Sequence, residues 1–128
     1  MIYLDSSVAL AQLLSESRRP SDSLARTSLV ASRLLEYEIW NRLHARGLGQ
    51  SHAEVARSLI GRVALLDLSP SILRRALEPF PVPARTLDAL HLASIEFLRG
   101  RGQAVELATY DQRMADAARA LGIPLTQL

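Results

Sequence analysis

Short runs of apolar, β-prone residues alternate with segments of helical periodicity along the chain. These runs cover residues 2–4, 29–31, 63–68 and 104–108. Strands this short and apolar are typical of sheets buried on both faces, and strands that alternate with helices form parallel β-α-β crossovers. The pattern predicts an α/β fold with a mainly parallel sheet covered by helices on both faces.

The length and composition of the chain limit its possible chemistry. A chain of 128 residues suits one hydrophobic core, so we expect residues 1–128 to form a single domain. The absence of cysteine excludes disulfides and thiolate sites, so any metal must have oxygen or histidine ligands. We find neither a signal peptide nor an apolar run of the roughly 20 residues that span a bilayer. A cytoplasmic protein without membrane association is the expectation.

All 15 basic residues are arginine, whose planar fork of donors suits phosphate. The formal net charge is only +2. If four of the 13 acidic residues gather in one site, 15 arginines face nine other acids elsewhere, a surplus of +6. Such a surface would attract a polyanion, although genomic base composition explains the absence of lysine equally well.

Capping residues, which accept hydrogen bonds from the backbone of the first turn, predict four helix starts. These residues are Ser6 or Ser7, Ser51 in a capping box with Glu54, Ser69 before Pro70, and Thr86. The polar stretch 15–23, which contains Pro20, is predicted to follow the first helix as a loop. A short final strand is expected over residues 123–126.

Four acidic residues occupy positions that favour a ligand site. In open α/β sheets, ligands bind at the carboxyl ends of the strands. Asp5 closes the first strand, and Asp111 follows the fourth strand closely. Asp88 lies in the first turn of its helix, and Glu38 lies in mid-helix at the margin of an apolar stripe.

Each of these acids also has an ordinary structural explanation. Asp5 and Asp111 can cap a turn or a helix, and Asp88 can interact favourably with the helix dipole. Glu38 can pair with Arg42 one turn along its helix. Position alone therefore leaves both interpretations open.

A cluster of the four acids would require a cation. Neighbouring carboxylates repel one another and raise each other's pKa unless positive charge compensates. Mg²⁺ and Mn²⁺ prefer oxygen ligands. Either ion can acidify a water molecule, bind a phosphodiester and stabilise the leaving oxygen. The cluster would therefore suit the hydrolysis of phosphodiesters.

Four short motifs, in this order and spacing, resemble those of the PIN-domain nucleases, and within them the VapC-type toxins of type II toxin–antitoxin systems. The motifs are IYLDSS at 2–7, SRLLEYE at 32–38, LDALHLA at 87–93 and ATYDQRM at 108–114. The terminal segment AARALG at 117–122 adds to the likeness, which covers almost the whole chain.

The resemblance implies a three-layer α/β/α PIN-like domain and Mg²⁺- or Mn²⁺-dependent endoribonuclease activity. Asp5, Glu38, Asp88 and Asp111 match the acidic positions of the family, which makes them the candidate catalytic and metal-binding residues. Glu36 is the competing acid in its motif. The resemblance also implies an RNA substrate, a homodimer, and a small antitoxin that blocks the acidic pocket.

Residues with donor groups near these acids are candidates for supporting roles. Ser6 and Thr109 can hydrogen-bond a carboxylate or metal-bound water, or they can simply cap a helix. Arg42 and Arg113 can bind RNA phosphate, or they can neutralise nearby acids. His91, one turn after Asp88, faces either the same pocket or, more commonly for a lone histidine, the core.

Two aromatic residues are candidates for contact with an RNA base. Tyr37 and Trp40 have side chains that can stack on an unpaired RNA base, although packing in the core or in a dimer better explains Trp40.

Other classes of function share some of these sequence features. A housekeeping RNA-processing nuclease shares the same chemistry, and a non-catalytic PIN-like binding module shares the fold. An aspartyl phosphatase is disfavoured because Ser7 stands where such enzymes have a second acid. A receiver domain is disfavoured because the chain has no lysine.

Overall fold

The computed structural model describes residues 1–14, 24 and 26–128. In this part of the chain, four parallel strands form one sheet with the order β3-β2-β1-β4. The strands are β1 (Ile2–Leu4), β2 (Leu29–Ser32), β3 (Val63–Leu66) and β4 (Glu106–Ala108). The predicted parallel sheet is confirmed, with β3 and β4 each two residues shorter than expected. The predicted loop over residues 15–23 lies outside the described residues.

Helices cover both faces of the sheet. They are α1 (Ser6–Leu13), α2 (Leu34–Ala45), α3 (Ala53–Gly61), α4 (Pro70–Ala76), α5 (Thr86–Gly100) and α6 (Gln112–Ala120). Successive side chains of a strand point to opposite faces. Leu4 and Ala31 therefore pack with α1 and α2, whereas Tyr3 and Val30 pack with α5 and α6. The predicted three-layer α/β/α arrangement is confirmed.

The structure corrects three of the predicted helix caps. Asp5, and not Ser6 or Ser7, caps α1, because the helix begins directly after the strand. No side chain caps α5, where Thr86 is already the first helical residue. The hydroxyl of Ser51 contacts its neighbours rather than the first turn of α3, so the expected capping box is absent. In each case the path of the incoming chain decides which residue can reach the free N–H groups.

Of two other predictions of local structure, the Ser69 cap is confirmed and the final strand is confirmed only in part. Ser69 caps α4 by accepting a hydrogen bond from the N–H of Ile72, with Pro70 as the first helical residue. The final strand is reduced to a single bridge between Leu125 and Leu107. Within the described residues, no helix has the length and hydropathy needed to cross a membrane.

The strand order creates a crevice between β1 and β4. The sheet grows from β1 through β2 to β3, and β4 is then added on the other side of β1. Leu4 pairs with Ala108, so Asp5 and Thr109 leave the sheet side by side. The carboxyl edge between these strands is a topological switch point, where open α/β sheets bind ligands.

Candidate active site

Asp5 is fixed at the switch point by three hydrogen bonds to one of its oxygens. It directly follows β1 and is 6% exposed. Its Oδ2 accepts hydrogen bonds from the Ser7 hydroxyl at 2.5 Å, the Ser7 N–H at 3.4 Å and the Thr109 hydroxyl at 2.8 Å. No donor among the described residues reaches Oδ1. The orientation of the carboxylate is therefore set while one oxygen stays open.

Asp111 has a similar division of its two oxygens. It caps α6, and its Oδ1 accepts hydrogen bonds from the N–H groups of Arg113 at 2.9 Å and Met114 at 3.4 Å. Its own N–H donates to the Thr109 hydroxyl at 3.0 Å. Within the described part of the chain, Oδ2 accepts no hydrogen bond. Capping of the helix thus leaves one oxygen of Asp111 available.

Ser7 joins the two strand ends, a role that the sequence analysis missed. Its hydroxyl donates to Asp5 and accepts a hydrogen bond from the N–H of Tyr110 at 3.0 Å. The hydroxyl of Thr109 lies 3.4 Å from that of Ser7, and the N–H of Asp5 donates to the carbonyl of Ala108 at 3.0 Å. A serine two residues after an aspartate at a strand end was the available signal. The network holds the β1–α1 and β4–α6 junctions together.

Glu38 has a protein donor or ring nitrogen beside each of its oxygens. Its Oε1 lies 2.6 Å from Nε2 of His91, and its Oε2 accepts a hydrogen bond from the Ser6 hydroxyl at 3.2 Å. The ion pair with Arg42 that the spacing allowed is absent from the described contacts of Glu38. Ser6 therefore supports a carboxylate and does not cap the helix.

The structure separates Glu38 from Glu36, the competing acid of the same motif. Glu36 pairs with Arg33 at 3.3 Å, and Arg33 also contacts Asp67 beyond the end of β3. Glu36 is thus engaged at the surface, whereas Glu38 contacts the buried His91.

His91 has two ring contacts, so both of its predicted placements hold. Its side chain is 1% exposed, and Nδ1 lies 2.7 Å from the Tyr3 hydroxyl. Burial lowers the pKa of His91, but the hydrogen bond and charge of Glu38, together with the charges of Asp5 and Asp88, raise it by more. His91 is a satisfied core histidine that also contacts the acidic site.

Asp88, in the first turn of α5, has unbalanced negative charge around it. Burial raises the pKa of its carboxyl, and the charges of Asp111 and Asp5 raise it further, against smaller opposing effects of His91 and Arg85. No hydrogen bond or ion pair to its carboxylate is found among the described residues. The site therefore presents Asp88 as an unpartnered carboxylate near two other acids.

Electrostatic coupling links the acids, but they do not form a ready-made metal site. In residues 1–14, 24 and 26–128, no group of three or more His, Asp or Glu side chains has the geometry to hold a metal ion. The donor set nevertheless suits a hard cation, because Asp5, Asp88 and Asp111 each retain an oxygen without a partner among the described residues. A cation would also compensate the charge that raises the pKa of Asp88.

The two candidate RNA-binding arginines are exposed. Arg42, with Ser6, Glu38 and Leu87, lines a cavity of about 360 Å³ beside the acidic site. The backbone of Arg113 contacts Asp111. Within the described residues, neither guanidinium forms an ion pair. In the described contacts, these two arginines therefore do not neutralise nearby acids by direct pairing.

A larger cavity of about 580 Å³ lies along α2 and shares Glu38 and Leu87 with the first. Tyr37 lines it and is 71% exposed. Trp40 is only partly buried, stacks on His44 and lies under the guanidinium of Arg57.

Sequence comparison identifies relatives over nearly the full length. The PIN domain family model matches residues 2–120. Ribonuclease VapC46 of Mycobacterium tuberculosis (strain ATCC 25618 / H37Rv) is 35% identical over 130 residues, which cover 95% of this chain and 93% of that protein. Ribonuclease VapC35 of Mycobacterium tuberculosis (strain CDC 1551 / Oshkosh) is 32% identical over 131 residues, which cover 96% and 93%.

Two solved structures share the fold at low sequence identity. Mycobacterium tuberculosis VapC20, described as a Sarcin-Ricin loop cleaving toxin, has a TM-score of 0.69 at 18% identity and covers 91% of this chain and 95% of its own. A toxin–antitoxin complex from Klebsiella pneumoniae has a TM-score of 0.64 at 16% identity, with 88% of each chain covered. From the family model and the sequence relatives, the chain belongs to the PIN-domain family and, within it, to the VapC-type proteins.

Proposed function

We propose that this chain is a metal-dependent endoribonuclease and the toxin of a toxin–antitoxin pair. Membership of the VapC-type family supports the activity, since the two sequence relatives are named ribonucleases. The observation that carries the proposal is the set of unpartnered oxygens on Asp5, Asp88 and Asp111, together with the raised pKa of Asp88. These carboxylates are the donors that a divalent cation needs at a phosphodiester.

In this proposal Asp5, Asp88 and Asp111 hold the cation with their open oxygens, and Glu38 completes the acidic set. When bound, Mg²⁺ or Mn²⁺ supplies an acidified water and compensates the charge of the scissile phosphate. The Thr109 hydroxyl keeps Asp5 in its orientation, as Ser7 does.

Arg42 and Arg113 bind the phosphates that flank the scissile bond, since guanidinium groups form paired hydrogen bonds with phosphate. The surplus of arginine elsewhere steers RNA toward the acidic pocket.

The proposal extends to the assembly of the protein. We expect residues 1–128 to form one PIN domain that works in the cytoplasm as a homodimer. A small antitoxin is expected to block the acidic pocket, as an inhibitor of a site that would otherwise cleave cellular RNA. The Klebsiella pneumoniae neighbour, which is a toxin–antitoxin complex, supports this expectation through the shared fold.

Cleavage of RNA by purified protein tests the nuclease. Wild type is incubated with RNA and Mg²⁺ or Mn²⁺, with and without a chelator, beside Asp5→Asn, Asp88→Asn and Asp111→Asn. Asp116→Asn is the matched control, because Asp116 is exposed and pairs with Arg119. We expect loss of cleavage in the three site variants and with chelator. Cleavage that persists in the chelator, or in any site variant, contradicts the proposal.

Growth of a bacterial host tests the toxin. Expression of wild type is expected to arrest growth, and Asp88→Asn is expected to permit it. Co-expression of the small protein encoded beside this gene is expected to relieve the arrest. Metal-dependent cleavage without any growth arrest would instead indicate an RNA-processing nuclease.

A further inference from the structure

We propose that Tyr3 and His91 are positioning residues for Glu38, in a buried hydrogen-bond chain that starts at the backbone N–H of Ser32. The chain fixes Oε1 of Glu38 from the protein interior and leaves Oε2 to the site. This inference rests on the proposed nuclease function, and it assigns a functional role to two residues outside the acidic set.

The chain is continuous and shielded from solvent. The N–H of Ser32 donates to the Tyr3 hydroxyl at 3.0 Å, and that hydroxyl lies 2.7 Å from Nδ1 of His91. Nε2 of His91 lies 2.6 Å from Oε1 of Glu38. Ser32, Tyr3 and His91 are each at most 1% exposed, so water does not compete for these bonds.

The backbone N–H of Ser32 sets the direction of donation along the hydrogen-bond chain. An N–H group is only a donor, so the Tyr3 oxygen accepts from Ser32 and its own proton must find another acceptor. In the neutral imidazole, donation of this proton to Nδ1 of His91 leaves the ring proton on Nε2, facing Glu38.

The four residues come from four elements around the carboxyl edge of the sheet. Tyr3 and Ser32 belong to β1 and β2, while His91 and Glu38 belong to α5 and α2, in the two different helical layers. The hydrogen-bond chain therefore connects both helical layers. It links Glu38 to β1, the strand that also presents Asp5. A shift of α2 relative to the sheet would have to break it.

The two oxygens of Glu38 have unequal freedom as a result. Oε1 is held by a short contact to a buried ring, whereas among the described residues Oε2 has only the longer bond from the half-buried Ser6. A carboxylate oxygen has two lone pairs. Oε2 can therefore accept a further hydrogen bond from water, or contact a cation, without the loss of its orientation.

Tyr3→Phe is the sharpest test, because it removes one hydroxyl and keeps the buried ring. We expect a fall in kcat of about tenfold or more, the usual scale for loss of a residue that orients a metal ligand, with KM for RNA nearly unchanged. Ile95→Val is the matched control, since Ile95 is buried one turn further along α5. That variant is expected to lose stability and to keep its kcat.

A second readout does not depend on activity. In ¹⁵N NMR of the wild-type protein at alkaline pH, His91 is expected to show a protonated Nε2 and an unprotonated Nδ1. Both Tyr3→Phe and Glu38→Gln are expected to change this signal. His91→Gln, which keeps an amide donor near Glu38, is expected to retain more activity than His91→Leu.

The outcomes separate this inference from the proposed function. A proton on Nδ1 of the neutral His91 ring at alkaline pH overturns the inference, and so does a Tyr3→Phe variant with kcat within about twofold of wild type. Absence of metal-dependent cleavage in wild type overturns the nuclease, whereas the NMR result still decides whether the hydrogen-bond chain exists.

Discussion

The hydroxyl of Thr109 donates a hydrogen bond of 2.8 Å to Asp5, although 104 positions separate the two residues in the chain. The bond joins the end of β4 to the end of β1, the two strands that form the switch point. The same hydroxyl also accepts a hydrogen bond from the N–H of Asp111. Thr109 therefore contacts two of the acids of the candidate site.

Thr109→Val is expected to weaken both the site and the fold. Loss of a hydrogen bond to a charged group costs about 1.5–3 kcal/mol, and loss of a residue that orients a metal ligand costs about tenfold in activity or more. Thr109→Ser keeps the donor and should restore most of both. Urea unfolding and RNA cleavage measure the effects. Thr126→Val is the control, because Thr126 donates to the exposed Glu106. Equal effects at the two threonines would argue against a special role for Thr109.

A divalent cation should stabilise the folded protein. Ligands that bind only the folded state add about 2.7 kcal/mol at a concentration one hundred times their Kd. We therefore expect Mn²⁺ to raise the Tm of wild type and of Asp116→Asn, and to have little effect on Asp88→Asn. Calorimetry with and without Mn²⁺ provides the measurement. A similar rise in all three proteins would show that the ion binds elsewhere.

The raised pKa of Asp88 predicts a specific dependence of stability on pH. Between the ordinary value of 3.8 and the raised value, the folded protein binds more protons than the unfolded chain. The free energy of unfolding contributed by this group therefore falls as the pH rises through that window. Asp88→Asn should lose this fall and gain stability relative to wild type as the pH rises. Urea unfolding of cation-free protein across the window tests this, and parallel curves would contradict it.

Arg42 and Arg113 are expected to bind RNA phosphate. Replacing either arginine with glutamine should weaken binding and reduce the slope of log Kd against log salt by about one. The measurement uses an Asp5→Asn background, in which RNA is not cleaved. Arg62→Gln is the control, because Arg62 is exposed and lies at the opposite, amino edge of the sheet, directly before β3. An unchanged slope in the Arg42 or Arg113 variant would exclude that residue as a phosphate contact.

The strands and the position of Asp5 were predictable because their signals are local. The apolar residues of β1 stop at polar residues that favour a turn or a helix start, and Asp5 is the first of these. The contact between Glu38 and His91 was not predictable in this way, since 53 positions separate them and only the packing of α2 near α5 brings them together.

The helix caps show that a local sequence pattern can also predict a contact that does not form. Ser51 and Thr86 have suitable side chains, yet the hydroxyl of Ser51 contacts Leu48, and Thr86 lies one position too late, as the first residue of α5. Ser7 was overlooked because its role depends on β4, a strand from the far end of the chain. Residues such as Ser7, whose partners are brought close only by tertiary structure, are thus the ones that local sequence patterns do not reveal.

The central position of β1 has a consequence for how the protein is made. Asp5 is synthesised before its partner Thr109, which lies 104 positions later in the chain, and before the neighbouring Asp111. A nascent chain that has not yet reached Thr109 holds Asp5 with the hydroxyl of Ser7 but without that of Thr109. The candidate acidic pocket can therefore assemble only after translation has passed Asp111.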